Sequence, residues 1–414
     1  MVIKIKKMRV FPSKIKGSVK ISGSKNASLP IIVASMVSGL NIKLKNIPNI
    51  LDINSLLKIL KKTGSEVKLK NNTLKMTHTI NKCDLLFDEI KDFRASYYLM
   101  SVYIALFKEV TIYYPGGCAI GSRPIDFHLE GFKSAGCSYH QDGNIIKITA
   151  KELKPFTYKI PKKSLGATVN LLILGSKIEG MSIIKNASTE PEIDDLINFI
   201  NKSKAKVYRK NSDIIIIGNS NIVRNIKHKV IPDRIECFTY MCIGLYSKKL
   251  KIKNIDISHL KTPIYYFKKM DANIKINKNS LIIKEGQLKN ISVCSGDYPM
   301  LSTDQMPLLY PIFTRVLGVS KFSEGIFENR FSVCEELKKT GADIEIRNNS
   351  AIIIGKRNIV GCDLFAKDLR CAASLLLEGI INQNSTINNL YYLERGYDNV
   401  YRKLKKIGLN FKIE

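Results

Sequence analysis

The stretch Pro-Gly-Gly-Cys-Ala-Ile-Gly-Ser-Arg-Pro, residues 115 to 124, sets a cysteine behind two glycines and five residues ahead of an arginine. Gly116, Gly117 and Gly121 give the backbone around Cys118 unusual freedom. A thiol in such a loop has two chemical uses. It can attack as a thiolate if a nearby cation lowers its pKa, or it can deliver a proton if it keeps one. The spacing alone leaves both open. Pro124 suits the first position of a helix, with Ile125, Leu129 and Phe132 on one face, Asp126 in the first turn and Gly136 as the stop. Free amides at that helix start, together with Arg123, can hold an anionic ligand beside the thiol. Three glycines and an arginine are poor company for a buried filler, which is the role expected of most of the other eight cysteines.

A second candidate is "SGSKNASLP", where Lys25 and Asn26 precede a helix carrying Leu29, Val33, Met36 and Val37. Read by itself, this is equally an exposed lysine beside a Ser or Asn cap. Two acidic stretches read as structural. "TEPE", Thr189 to Glu192, and Ser332-x-x-Glu335 both fit the Ser/Thr-x-x-Glu capping box. The five histidines have no metal-ligand spacing, and His128 is expected to pack on its helix. No metal and no cofactor are expected.

These residues need a large scaffold. At 414 residues the chain exceeds one ordinary core, so two domains are expected. Its 66 basic and 36 acidic residues leave a net charge of +30. The lysines are spread along the chain among isoleucine and asparagine, with no basic tail and no zinc-finger or heptad signature. This reads as a general bias, with attraction of anionic substrates as a secondary effect, and makes a nucleic-acid-binding protein the rival from another class. No apolar run approaches the roughly 18 residues of a membrane span. The first residues lack a secretory pattern, and nine cysteines without C-x-x-C pairs argue against a disulfide framework or zinc ribbon. A reducing cytoplasm is the expected location.

The chain also repeats. "LKKTGSEVKL" at Gly64 reads as a helix end, a stop and a strand. The same ending returns at Gly136, Lys204, Asp271, Gly341 and Gly408, so six units of about 69 residues fill the sequence. Three units per domain predict two similar α/β domains with a cleft between them.

The stretch "PGGCAIGSRPIDFH" resembles the cysteine loop of the UDP-N-acetylglucosamine 1-carboxyvinyltransferases, enolpyruvyl transferases that open peptidoglycan synthesis. "SGSKNASLP", "SLGATVN", "TEPEIDDL", "PDRIE", "IFENRF", "KDLR" and "ERGYDNV" extend the resemblance in order over nearly the full length. It implies two inside-out α/β barrels, each of three βαβαββ units, with an active-site cleft between them. One domain would span 23–231 and the other 1–22 with 232–414. The implied reaction moves the enolpyruvyl group of phosphoenolpyruvate to the 3′-hydroxyl of UDP-N-acetylglucosamine and releases phosphate.

By the same resemblance, Cys118 is the general acid for the methylene carbon and can also attach covalently to phosphoenolpyruvate. Asp304 is the base for the sugar hydroxyl, although its Asp-Gln-Met-Pro setting departs from the family's Asp-x-Gln. Lys25 and Arg395 complete the catalytic set. Lys25, Asn26, Arg123, Arg330, Arg370 and Arg395 would hold phosphoenolpyruvate. The nucleotide sugar would meet Arg94, Arg123, Pro124, Ile125, Asp126 and Phe127. It would also meet Lys162, Lys163, Ser164 and Leu165, and Asp304 and Ile326. The implied partners are the two small-molecule substrates alone, with no nucleic acid, no membrane and a monomeric chain. A shikimate-pathway enolpyruvyl transferase is the rival within the architecture, and the cysteine loop argues against it.

Overall fold

Among the described residues, six small sheets repeat one pairing scheme, three in each of two units. The computed structural model describes residues 6–91, 93–116 and 124–414. One unit comprises residues up to 22 together with 232–414, and the other the described residues from 23 to 231. In the second of these, Gly39–Lys45 pairs in parallel with Val223–Lys229 and antiparallel with Thr73–Thr77, whose hairpin partner Glu66–Lys70 forms the far edge. Gly180–Lys185 repeats the scheme between Thr157–Lys159 and the hairpin of Asp213–Gly218 and Lys206–Lys210. The third sheet joins Glu109–Tyr113, Ile145–Ala150 and Cys137–Asp142, with one parallel bridge, Leu85 to Ile112, where the others have a fourth strand.

The first unit follows suit. Its central strands are Lys249–Lys253, Gly318–Ser323 and Thr386–Asn388, each with one parallel neighbour and one antiparallel neighbour. The N-terminal strand Lys16–Lys20 is the parallel partner of Lys249–Lys253, which places the start of the chain in the unit that holds its end.

The helices lie inside and the sheets outside. Lys25–Ser38 buries twelve of its fourteen residues, and Leu165–Gly175 and Arg234–Gly244 are buried almost all round. A helix with no polar face must sit at the centre of its unit. Lys25–Ser38 packs against Tyr98–Phe107, Leu165–Gly175 and Pro191–Ile200. Leu369–Asn382 packs likewise against Arg234–Gly244, Tyr310–Phe313 and Ser332–Lys338. Each unit closes its own hydrophobic core.

The six repeated endings all adopt the left-handed backbone. The φ values are 99° at Gly64, 97° at Gly136, 88° at Gly341 and 88° at Gly408. Lys204 and Asp271 take the same turn at 71° and 57°, at a steric cost that glycine avoids. A second repeated device has a fainter sequence signal. Asn46, Asn186, Asn254 and Asn389 follow central strands, have φ between 54° and 62°, and donate through Nδ2 to Val230, Ile160, Ile21 and Ala366 carbonyls. Each locks the strand end to the chain beside it, and short Asn side chains tolerate the left-handed turn.

Local expectations shift in four places. Lys25 and Asn26, expected ahead of their helix, are its first two residues, because Ser24 takes the cap position. The helix after the cysteine loop is Asp126–Ser134 with Ile125 at its cap, so Pro124 stands before the helix rather than in it. Its apolar face is as expected, with Ile125, Leu129 and Phe132 buried. The "TEPE" helix starts at Pro191 with Glu190 at the cap position, not Thr189. The helix Ser332–Lys338 is entered directly from the tight turn Glu328–Phe331, so Phe331 holds the cap position and Ser332 is already helical. In the last case the preceding turn brings the chain into helical geometry before the serine is reached, which a four-residue pattern cannot register.

Candidate active site

In the unit that holds both chain ends, Asp304 is the hub. Arg330 Nη2 donates to its Oδ1 at 2.9 Å, and Arg370 Nη2 donates to its Oδ2 at 2.7 Å. The Asp304 side chain is 24% exposed, against 3% for Arg330 and 9% for Arg370, so two nearly buried cations meet one accessible carboxylate. Burial opposes the Arg370 charge, but Asp304 and then Tyr397 hold its pKa above the ordinary arginine value. Local chemistry sets each group. Asp368 caps the helix Leu369–Asn382 by accepting from the Arg370 and Cys371 amides, which fixes Arg370 in the first turn. Arg330 Nε donates to Thr303 Oγ1, and that hydroxyl donates to Glu324 Oε2.

Glu324 also accepts from the Ile326 and Phe327 amides through Oε1. The Ile326 N–H is thus committed within the chain, so any contact from Ile326 to a ligand falls to its carbonyl or its half-buried side chain. The departure beside Asp304 has a packing reason. Gln305 is buried, accepts from the Ser302 amide and donates to the Arg234 carbonyl, while the Pro307 carbonyl accepts from Ser374. Arg395 is half-buried at the end of the turn Leu390–Arg395, two residues before Tyr397, whose hydroxyl meets Thr239 Oγ1 at 2.7 Å. Tyr397, Thr303 and Glu324 were not marked out by the sequence. Only "ERGYDNV" among the quoted motifs touches one of them.

In the other unit, Ser24 caps the helix Lys25–Ser38 by accepting from Ala27, which leaves Lys25 and Asn26 half-exposed at its positive end. Lys25 Nζ lies 3.2 Å from Asp52 Oδ2, and the two side chains are 17% and 10% exposed. Asp52 is a partner that sequence spacing did not suggest, because it belongs to the next helix, Leu51–Lys62.

Three stretches expected around the nucleotide sugar converge in this unit. Arg94 donates to the Pro115 carbonyl at 2.9 Å and lies over the Tyr97 ring. Tyr97 packs edge-on to His128, with ring centres 4.9 Å apart, and a methyl added at Gly166 would meet both. Gly166 directly follows Lys162 to Leu165, where Ser164 caps the helix Leu165–Gly175 by accepting from Ala167. His128 Nδ1 accepts from Asn170 at 2.7 Å, and burial followed by the Arg94 charge lowers its pKa to about 3. It therefore packs as a neutral ring. Pro124, Asp126 and Lys162 are exposed, Phe127 and Lys163 half-buried, and Ile125 buried, so Ile125 can offer a ligand only backbone. Cys118 and Arg123 lie outside the described residues.

Chemically, one unit offers a carboxylate flanked by guanidinium groups, and the other a lysine at a helix start and a cluster around His128. A carboxylate, a lysine and arginines suit proton abstraction and the binding of a substrate bearing phosphate and carboxylate groups.

Comparison with known proteins identifies what the whole chain is similar to. The family described as EPSP synthase (3-phosphoshikimate 1-carboxyvinyltransferase) matches residues 11–404. A UDP-N-acetylglucosamine 1-carboxyvinyltransferase of Halothermothrix orenii is 36% identical over 402 residues, covering 96% of this chain and 97% of its own. The protein of the same name from Pelagibacter ubique is 35% identical over 414 residues, covering 99% of both chains. Among solved structures, the enolpyruvyl transferase NikO from Streptomyces tendae matches with a TM-score of 0.90 at 19% identity, over 99% of each chain. An EPSP synthase from Acinetobacter baumannii matches at 0.79 and 17% identity, over 99% of this chain and all of that one. At those identities the structural likeness speaks for the fold. No helix among the described residues is long and apolar enough to cross a membrane.

Proposed function

The chain belongs to the EPSP synthase family, and on that premise we propose that it transfers the enolpyruvyl group of phosphoenolpyruvate to the 3′-hydroxyl of UDP-N-acetylglucosamine, releasing phosphate. The observation that carries this reading is the pairing of Asp304 with Arg330 and Arg370, a proton acceptor set directly against two anion-binding groups.

The chemistry balances with the chain's own residues. Asp304 removes the proton from the sugar hydroxyl, the oxygen bonds to the substituted alkene carbon, and Cys118 gives a proton to the methylene. Loss of phosphate and of one methyl proton then restores the double bond in the product. Guanidinium groups at Arg330 and Arg370, with Arg395, Arg123 and Lys25, hold the phosphate and carboxylate and stabilise the charge that builds on them. Asn26 adds an amide donor.

Asp304 between two arginines is a weak base, because both cations favour its ionised form. Phosphoenolpyruvate competes for those guanidiniums. As it engages them, Asp304 loses their charge and gains basicity, which couples binding of the phosphate donor to activation of the hydroxyl. On the sugar side, Arg94 lies over Tyr97 beside His128, Pro124 to Phe127 lead directly into His128 and Lys162 to Leu165 into Gly166, and lysines at a helix start suit a diphosphate. In this reading residues 23–231 form one enolpyruvyl transferase domain and residues 1–22 with 232–414 the other, acting as a cytoplasmic monomer.

The test is phosphate release from phosphoenolpyruvate with UDP-N-acetylglucosamine, with 3-phosphoshikimate and with no acceptor, in wild type and in Cys118→Ala. Release should depend on the nucleotide sugar and fall by about 10²–10⁴-fold in the variant, the contribution of a general acid. Release driven by 3-phosphoshikimate would transfer the assignment to the shikimate acceptor. Equal rates in the two proteins would remove the acid role of Cys118.

A further inference from the structure

The outer face of one sheet has a charge pattern that the proposed reaction does not use. Four strands, Val223–Lys229, Gly39–Lys45, Thr73–Thr77 and Glu66–Lys70, lie side by side in that order. Lys227, Lys43, Lys75 and Lys68 stand directly opposite one another across all four. Two residues further along, Lys229 faces Lys45, and Lys70 completes that row beyond Thr73. Strands about 4.8 Å apart make the first row about 14 Å wide, with the second row about 7 Å away. Like charges set opposite each other oppose sheet formation.

Composition explains the number of lysines but not their alignment. The sheet of Lys16–Lys20, Lys249–Lys253, Ser280–Lys284 and Asn273–Asn277 is equally rich in lysine. There, Lys249 meets Lys16 and Lys253 meets Lys20, while Ile282 separates Lys251 from Lys275. Among the paired positions of that sheet no more than two lysines stand directly opposite one another, with Lys284 continuing the line of Lys16 and Lys249 only at the strand end. The four-lysine row also lines a groove of about 650 Å³, shared with Asn41 and Asn225. Glu66 is the one acid among the described residues lining it, and no aromatic side chain does so.

We propose that this groove binds an inorganic polyphosphate chain. A single phosphate reaches at most two of the ammonium groups, whereas an anion with charges repeated along a line engages the whole row. The absence of aromatic rings leaves nucleic-acid bases nothing to stack on. The concave face suits a chain better than a plane of lipid headgroups, and the asparagine amides can donate to phosphate oxygens.

The experiment measures binding of labelled polyphosphate of defined length to the full chain at several salt concentrations. Lys43→Gln/Lys68→Gln/Lys75→Gln/Lys227→Gln is compared with Lys16→Gln/Lys249→Gln/Lys251→Gln/Lys253→Gln, which removes the same charge from the other sheet. The groove variant should bind at least ~30-fold more weakly and lower the salt slope by roughly three to four, while the control changes less than ~3-fold. Both should keep phosphate release. Polyphosphate should also raise the wild-type Tm, a readout that needs no variant. Equal losses in the two variants would overturn the proposal, as would an unchanged Tm or orthophosphate binding as tightly as the chain. Tighter binding of a single-stranded oligonucleotide or of phosphatidylglycerol vesicles would overturn it too.

Discussion

Replacing Asp304 with asparagine separates its two proposed duties. The amide keeps the shape and one acceptor oxygen, but it loses the charge that faces Arg330 and Arg370 at 2.9 and 2.7 Å. Breaking a fully buried ion pair costs about 3–5 kcal/mol. Asp304 is about one quarter exposed, so solvent reduces that to about 2 kcal/mol. For a unit of this size, that lowers Tm by roughly 4–8 °C. The two arginines are then no longer held by a protein carboxylate. If one charge-assisted bond, about 1.5–3 kcal/mol, no longer has to be exchanged, the phosphoenolpyruvate Kd should fall by about tenfold or more. Turnover should fall by about 10²–10⁴-fold, because no base remains for the hydroxyl. Calorimetric titration with phosphoenolpyruvate, steady-state phosphate release and thermal unfolding measure the three effects on one preparation. Turnover within tenfold of wild type would refute the base assignment. Unchanged or weaker phosphoenolpyruvate binding would refute the competition for the arginines, whatever happens to turnover.

Glu378, whose pKa burial pushes up to about 7 against partial relief from Asn382 and Arg315, gives a pH-dependent test. The folded state holds its proton more tightly than the unfolded chain, so its neutral form is fully accommodated below about pH 4.5 and stability is lost as pH rises towards 7. Glu378→Gln should therefore add about 3 kcal/mol at pH 8 and almost nothing at pH 4.5, seen as a Tm gain at the higher pH alone. Lys204→Gly should stabilise the unit by roughly 0.5–1 kcal/mol in urea unfolding, since relief of the left-handed strain exceeds glycine's entropic cost; a loss would mean that the lysine side chain makes compensating contacts. Gly166→Ala would set a methyl 2.8 Å from the Tyr97 hydroxyl and 3.0 Å from the His128 ring. It should raise the KM for UDP-N-acetylglucosamine more than that for phosphoenolpyruvate, and an equal rise in both would separate this cluster from sugar binding.

Much of the scaffold was legible in the chain because it is encoded over a few residues at a time. The six endings recur at nearly equal spacing, and each forms a left-handed stop, since the turn chemistry of a helix end is local. The buried helices announce themselves by lacking a polar face. Cap positions were less legible: the tight turn Glu328–Phe331, not the motif after it, sets where its helix begins.

Single motifs pointed to Asp304, Arg330 and Arg370, but only the tertiary structure decides that one carboxylate is held by both arginines, across 26 and 66 residues of chain. Nor could spacing reveal Glu324 and Thr303 behind Arg330, Asp52 beside Lys25, or Asn170 beneath His128. The lysine row is the same lesson in a sheet. Which side chains stand abreast depends on strand register, and register is set by hairpins and by a parallel partner about 180 residues away. Local sequence determines where the backbone turns and which faces are apolar; the meeting of charges is decided by the packing that folds those faces together.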